Sequence, residues 1–124
     1  MRFVDSNIII KAFTDNEDKE RCRKVLSQDF VTNTLCLVEA QHAISIIRNN
    51  KVYASKCIKA LFKGKSKIVS LDKNLLFESI KRVERYNLNI FDLINYSTAM
   101  LNSCTEFVSY DNDFNNLEIK RIEP

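Results

Sequence analysis

Short apolar segments suited to strands alternate with longer helical ones along almost the whole chain, and this alternation limits the fold more than any other feature. Arg2-Phe3-Val4 reads as a strand, and Asn7 to Phe13, containing Ile8-Ile9-Ile10, as a helix. Asn16 to Leu26 carries mixed charges at helical spacing, which predicts a solvated helix with Asp15, Glu17, Asp18 and Glu20 at its exposed start. Phe30-Val31-Thr32 is a second strand candidate, and Thr34 is the expected N-cap of a helix running to Ile47. A helix over Val52 to Phe62 follows, then a strand over Ile68-Val69-Ser70 and a helix capped by Asp72 that extends to about Tyr86. The last elements are a helix from about Phe91 to Asn102, a strand over Phe107 to Tyr110 and an edge strand within Glu118 to Ile122. This order predicts an α/β three-layer sandwich with a central, mainly parallel sheet. Ligands of such folds gather outside the carboxyl ends of the strands.

A chain of 124 residues has room for one core, so a single domain spanning 1–124 is expected. No apolar run approaches the ~18 residues that span a bilayer. Asp5 interrupts the N-terminus too early for a secretory signal, so the cytoplasm is the expected location. Cys22, Cys36, Cys57 and Cys104 are scattered without a C-x-x-C pair and His42 is the one histidine, which favours buried thiols over disulfides or a zinc site. A net charge of +3 is only mildly suited to a polyanionic partner. Gly64 is the sole glycine, which excludes the glycine-rich phosphate loop and the Rossmann fingerprint.

Four acids sit where solvated charge is not expected. Asp5 lies between an apolar strand and an apolar helix, and Glu39 lies inside Leu35-Cys36-Leu37-Val38-Glu39-Ala40. Asp92 begins a helix within Ile90-Phe91-Asp92-Leu93-Ile94, and Asp111 follows Phe107 to Tyr110. Carboxylates embedded in apolar segments must be hydrogen-bonded, neutralised or paired with cations. If the four converge, their repulsion and all-oxygen chemistry suit Mg²⁺ or Mn²⁺. Taken singly, each has a local explanation. Asp5 and Asp92 can be helix caps, Glu39 can pair with Lys11, and Asp111 can form an Asx-turn in Asp111-Asn112-Asp113.

The ordered set Phe3-Val4-Asp5-Ser6-Asn7, Glu39, Phe91-Asp92-Leu93 with Ala99, and Phe107-Val108-Ser109-Tyr110-Asp111-Asn112-Asp113-Phe114 resembles the PIN-domain family, and the VapC-like toxin ribonucleases in particular. The resemblance covers almost the whole chain. It implies that Asp5, Glu39, Asp92 and Asp111 are the catalytic and metal-binding quartet, with Asp113 as an additional ligand position. Ser6, Asn7 and Ser109 would orient those carboxylates. The implied activity is Mg²⁺- or Mn²⁺-dependent hydrolysis of RNA phosphodiester bonds, by one or two cations ~3.5–4 Å apart if two. The product would carry a 5′-phosphate. The implied partners are an antitoxin protein, blocking the acids through a basic side chain, and a second copy in a homodimer. Gln41-His42 and Asn95-Tyr96 are bulkier than the family's small residues, a departure that bears on the shape of the site.

Lys56, Lys59 and Lys63, continuing into Lys65 and Lys67, form one candidate RNA-binding cluster, and Arg82 with Arg85 forms another. Each of these is also an ordinary solubilising cation. Two other classes compete with the nuclease. A haloacid-dehalogenase-like phosphatase needs Asp-x-Asp after its first strand, where this chain has Asp5-Ser6-Asn7. A non-catalytic PIN-like RNA-binding or scaffold protein would bind RNA without cutting it.

Overall fold

Three strands each place a large apolar residue on either face of the sheet, which is why helices cover both sides. Side chains alternate along a strand. Val4, Phe30 and Val108 join a core with the helices that lie within residues 6–62 on one face, while Phe3, Val31 and Phe107 join a second core with the helix Ile90–Leu101 on the other. The computed structural model describes all 124 residues. In chain order it consists of β1 (Arg2–Val4), α1 (Ser6–Ala12), α2 (Lys19–Leu26), β2 (Phe30–Asn33), α3 (Thr34–Ile47), α4 (Lys51–Phe62) and β3 (Ser66–Val69). There follow α5 (Lys73–Ile80), α6 (Ile90–Leu101), β4 (Glu106–Val108), a 3₁₀ turn (Asn112–Phe114) and β5 (Lys120–Ile122). The sheet order is β3-β2-β1-β4-β5, with every neighbouring pair parallel. The expected three-layer α/β sandwich is the observed one, and the sheet is wholly parallel.

The chain builds outward from β1 to β3 on one side, then crosses to place β4 on β1's other edge. The crevice at that reversal lies outside the carboxyl ends of β1 and β4. Asp5 follows β1 directly, and its backbone N–H donates to the Val108 carbonyl at 3.0 Å, so the two strand ends are fastened together.

Several boundaries differ from the sequence reading for local reasons. Asn33, not Thr34, caps α3, because its Oδ1 accepts the Cys36 amide at 2.8 Å. The Thr34 hydroxyl instead accepts the Leu71 amide at 2.9 Å, tying α3 to the segment after β3. Asp92 is the third residue of α6 rather than its cap; Asn89 holds that position and accepts the Asp92 amide at 2.9 Å. Helix α5 ends at Ile80, and the chain reaches Tyr86 through turns. Asp18 is not a solvated charge: it accepts from Lys11 Nζ at 3.3 Å, also pairs with Arg21, and its side chain is only 14% exposed. The four cysteines are buried and unpaired, as their spacing predicts. No helix is long and apolar enough to cross a membrane.

Candidate active site

Asp5 is buried at the head of the crevice, and its carboxylate is surrounded by donors. Oδ1 accepts the Ser6 amide at 2.8 Å and faces Asn95 Nδ2 at 3.5 Å. Oδ2 accepts the Ser109 hydroxyl at 2.7 Å and faces Asn7 Nδ2 at 3.5 Å. Ser109 can only be the donor toward Asp5, since its oxygen already accepts from Asn7 Nδ2 at 3.1 Å and from the Asp111 amide at 3.0 Å. Asn7 Oδ1 accepts the Tyr110 amide at 3.3 Å, so α1 and the chain after β4 grip each other across the crevice.

Asp92, Asp111 and Asp113 bring one carboxylate oxygen each within 4.8 Å of one another. Asp111 Oδ1 also accepts the Asp113 amide at 2.9 Å, so the Asx-turn expected of it is present. That turn aims both acids at Asp92. Glu39 lies on α3 close enough to Asp5 to feel its charge, and its Oε1 is buried without a hydrogen-bond partner. The fold therefore gathers Asp5, Glu39, Asp92, Asp111 and Asp113 at one pole of the sheet.

No lysine or arginine forms an ion pair with any of these five acids. Lys11, the candidate partner of Glu39, is held by Asp18 and lies over the Tyr110 ring, 5.0 Å from its centroid. Arg82 pairs with Glu78, and Arg85 with Glu118. Lys63 and Lys65 precede Ser66, which pairs with Phe30 at the start of β2, so they lie at the opposite pole from the acids. Lys56 and Lys59 are exposed on α4.

Electrostatics follow from that imbalance. Burial, then the charges of Asp111, Asp5, Asp113 and Glu39, push Asp92 from 3.8 up to about 6. Burial raises Glu39, with Asp5 adding to the effect. Burial also raises Asp5, partly offset by the Ser109 hydroxyl and the Ser6 amide. Uncompensated carboxylates, an orphaned buried oxygen and an all-oxygen donor set fit a hard divalent cation. Asp92, Asp111 and Asp113 could hold it, with Glu39 and Asp5 beside them.

One consequence is a pH-dependent stability of the cation-free protein. A carboxyl whose folded pKa is raised binds its proton more tightly in the native state, so stability is lost as pH rises between the unfolded and folded values. For Asp92 that window runs from about 4 to about 6. In chelator, Tm is expected to fall across it, and a calorimetric scan should show Mg²⁺ or Mn²⁺ raising Tm much more at pH 7.5 than at pH 4.5. Equal shifts at the two pH values would argue against cation binding by these acids.

A PIN domain family model matches residues 2–120. The chain belongs to the PIN domain family. No curated protein sequence matches it significantly. Among solved structures, this PIN domain is similar to Mycobacterium tuberculosis VapC20, a sarcin–ricin loop cleaving toxin: 12% identity, TM-score 0.76, covering 97% of this chain and 99% of that one. It is also similar to a toxin–antitoxin complex from Klebsiella pneumoniae, at 15% identity and TM-score 0.77, covering 98% and 96%. A third is VapBC2 from Rickettsia felis bound to a promoter DNA fragment, at 13% identity and TM-score 0.70, covering 98% and 97%. At such identities the likeness shows a shared fold.

Two residues at the site escape a motif-based reading. Asn95 reaches Asp5, and Asn33 holds Asn95 with a bond of 2.9 Å. The available signal was the one that exposed Glu39: a polar residue inside an apolar run, here Leu93-Ile94-Asn95-Tyr96. Of the bulky residues singled out in the sequence, Tyr96 packs in the core and its hydroxyl accepts the Ile119 amide at 2.9 Å. His42 is exposed, Gln41 bonds Ser55, and only Asn95 touches an acid.

Proposed function

We propose that this PIN domain is a divalent-cation-dependent endoribonuclease that hydrolyses RNA phosphodiester bonds as the toxin of a toxin–antitoxin pair, acting in the cytoplasm. The observation that carries the reading is a cluster of five carboxylates with no basic partner at the crevice of the sheet. Gathering such charge, with Asp5 buried, Glu39, Asp92 and Asp111 half-buried and Asp113 exposed at the rim, is costly unless something positive enters it.

Asp92, Asp111, Asp113, Glu39 and Asp5 would hold Mg²⁺ or Mn²⁺. The cation would supply a water of lowered pKa and charge stabilisation at the phosphoryl oxygens. The chain's own part is positioning. Ser109 and Asn7 orient the Asp5 carboxylate, and the Ser6 amide holds its other oxygen. The Asx-turn keeps Asp111 and Asp113 aimed at one point, as preorganised sites require. No side chain is placed as a covalent nucleophile, since Cys36 is fully buried and burial pushes its thiol far from ionisation. Lys56 and Lys59 are proposed contacts for phosphates away from the scissile bond. Cleavage of RNA that requires Mg²⁺ or Mn²⁺ and stops on chelation is the expected result; binding without cleavage across a full metal titration would leave the scaffold reading in its place.

Two apolar surfaces support the partner proposals. A groove of about 310 Å³ between α3 and α4 is lined by Leu37, Val38, Ile58 and Phe62, and Val38 adjoins Glu39 in the chain. It suits an apolar antitoxin segment whose basic side chain reaches the acids. Leu76, Phe77 and Ile80 on α5, with Val83 beyond it, are 40–63% exposed and suit a second copy. Light scattering should find a dimer for the native chain and a monomer for Phe77→Asp, with the circular dichroism of both alike; a dimer in both would remove α5 from the interface.

A further inference from the structure

Between β2 and α6 lies a polar cluster that burial alone makes conspicuous. Asn33, Asn95 and Thr98 are 0–2% exposed, and Cys36 beside them is fully buried. Asn33 uses both ends of its amide. Its Oδ1 accepts the Cys36 N–H at 2.8 Å and so caps α3, while its Nδ2 donates to Asn95 Oδ1 and to Thr98 Oγ1, both at 2.9 Å. The Thr98 hydroxyl donates to the Ile94 carbonyl at 2.8 Å, which leaves its oxygen free only to accept.

Asn95 has its orientation dictated by these neighbours. Its Oδ1 also accepts from the Cys36 thiol at 3.3 Å. Turning the amide over would set its N–H group against the Asn33 Nδ2 donor, so Nδ2 faces Asp5 Oδ1, 3.5 Å away. The elements joined in this way carry three of the acids: α3 bears Glu39, α6 bears Asp92, and Asp5 follows β1. Leucine or valine would fill the same space without a requirement for paired hydrogen bonds. A fully connected buried network instead specifies one arrangement of the elements it joins.

We propose that Asn33 and Asn95 form an amide relay that sets the spacing of Glu39, Asp92 and Asp5, making both positioning residues of the cation site. The inference rests on the nuclease reading above for its catalytic consequence, but not for its geometry. Asn33 ties the start of α3 to α6, and Asn95 extends that tie to the Asp5 carboxylate. Residues that orient metal ligands from behind typically change metal affinity or activity by ~10–100-fold when replaced.

The test uses two variants of the full chain. Asn33→Ser keeps a good helix cap while losing both Nδ2 bonds. Asn95→Leu is close in volume and removes the amide. For each, the Mn²⁺ dissociation constant measured by calorimetry is expected to rise ~10–100-fold. The kcat for RNA cleavage should fall by a similar factor with KM little changed, because the substrate's own contacts are intact. The double variant should resemble either single variant, as members of one network do. Folded variants with native Mn²⁺ affinity and native kcat overturn the relay, and Asn33→Ser alone decides the matter if Asn95→Leu does not fold. If the native chain neither binds Mn²⁺ nor cleaves RNA, the nuclease reading fails separately. The relay is then decided by crystal structures of the cation-free chains: acids displaced by more than about 0.5 Å in Asn33→Ser support it, and acids left in place overturn it.

Discussion

Asp92→Asn is expected to lower RNA cleavage by at least ~100-fold, a larger loss than replacing a residue behind the ligands, while leaving the cation-free protein folded and no less stable. The two halves of that result have one cause. The Asp92 side chain makes no hydrogen bond within the protein, and its backbone N–H is engaged by Asn89. Asparagine keeps the shape and the cap while removing the negative charge that attracts a cation. That same charge is resisted by burial and by Asp111, Asp5, Asp113 and Glu39, which is why its carboxyl is pushed up to about 6. Removing it relieves repulsion in the empty site. In chelator at pH 7.5 the variant should melt at or above the native temperature, and the part of the pH dependence between about 4 and about 6 that belongs to Asp92 should disappear. The cation-induced rise in Tm should shrink together with the activity. Native cleavage by this variant under saturating Mn²⁺ would falsify the proposed site.

The largest effect on stability is expected from Phe107→Ala. Phe107 is fully buried in β4, stacked on Phe3 at 4.8 Å between ring centroids, 4.2 Å from Phe114 and 6.0 Å from Tyr96. Truncating a buried phenylalanine costs about 3–5 kcal/mol, because transfer free energy is lost and a cavity remains. Against a typical total of about 5–15 kcal/mol, that is a large fraction of the fold's stability. The effect should also reach the site. Phe114 follows Asp113 directly and ends the 3₁₀ turn, so a void beneath its ring frees the turn that aims Asp111 and Asp113. Urea unfolding should show a much lower midpoint with an unchanged slope, and calorimetry a weaker Mn²⁺ affinity. A loss below about 1 kcal/mol would mean that the aromatic cluster does not brace β4.

How far these features could be read in the chain depends on the range over which each is determined. The strand over Arg2–Val4, the helix ending at Phe62 and the cap at Asp72 depend on neighbours within a few residues, and patterning exposes them. Asn33 and Thr34 are both good capping types, so the sequence does not distinguish them; only the backbone decides which side chain reaches the Cys36 amide. Asp18 resembles its exposed neighbours in sequence, but the packing of α1 against α2 puts Lys11 beside it. The lysines near β3 share a sequence face, yet the parallel register of β3 with β2 sends Lys63 and Lys65 to the pole away from the acids.

The sequence by itself determined the alternation that yields a parallel three-layer sandwich, and it placed Asp5 and the run from Ser109 to Asp113 after strands. Apolar periodicity is a local property, and a charge interrupting it is visible wherever the chain folds. What only the tertiary structure decided is which polar groups meet. Asn33 and Asn95 lie 62 positions apart, and Asn95 and Asp5 lie 90 apart. Bonds of that span form only after helices have docked on the sheet. An apolar run marks Asn95 as unusual, but nothing local shows that Asn33, Asn95 and Asp5 meet.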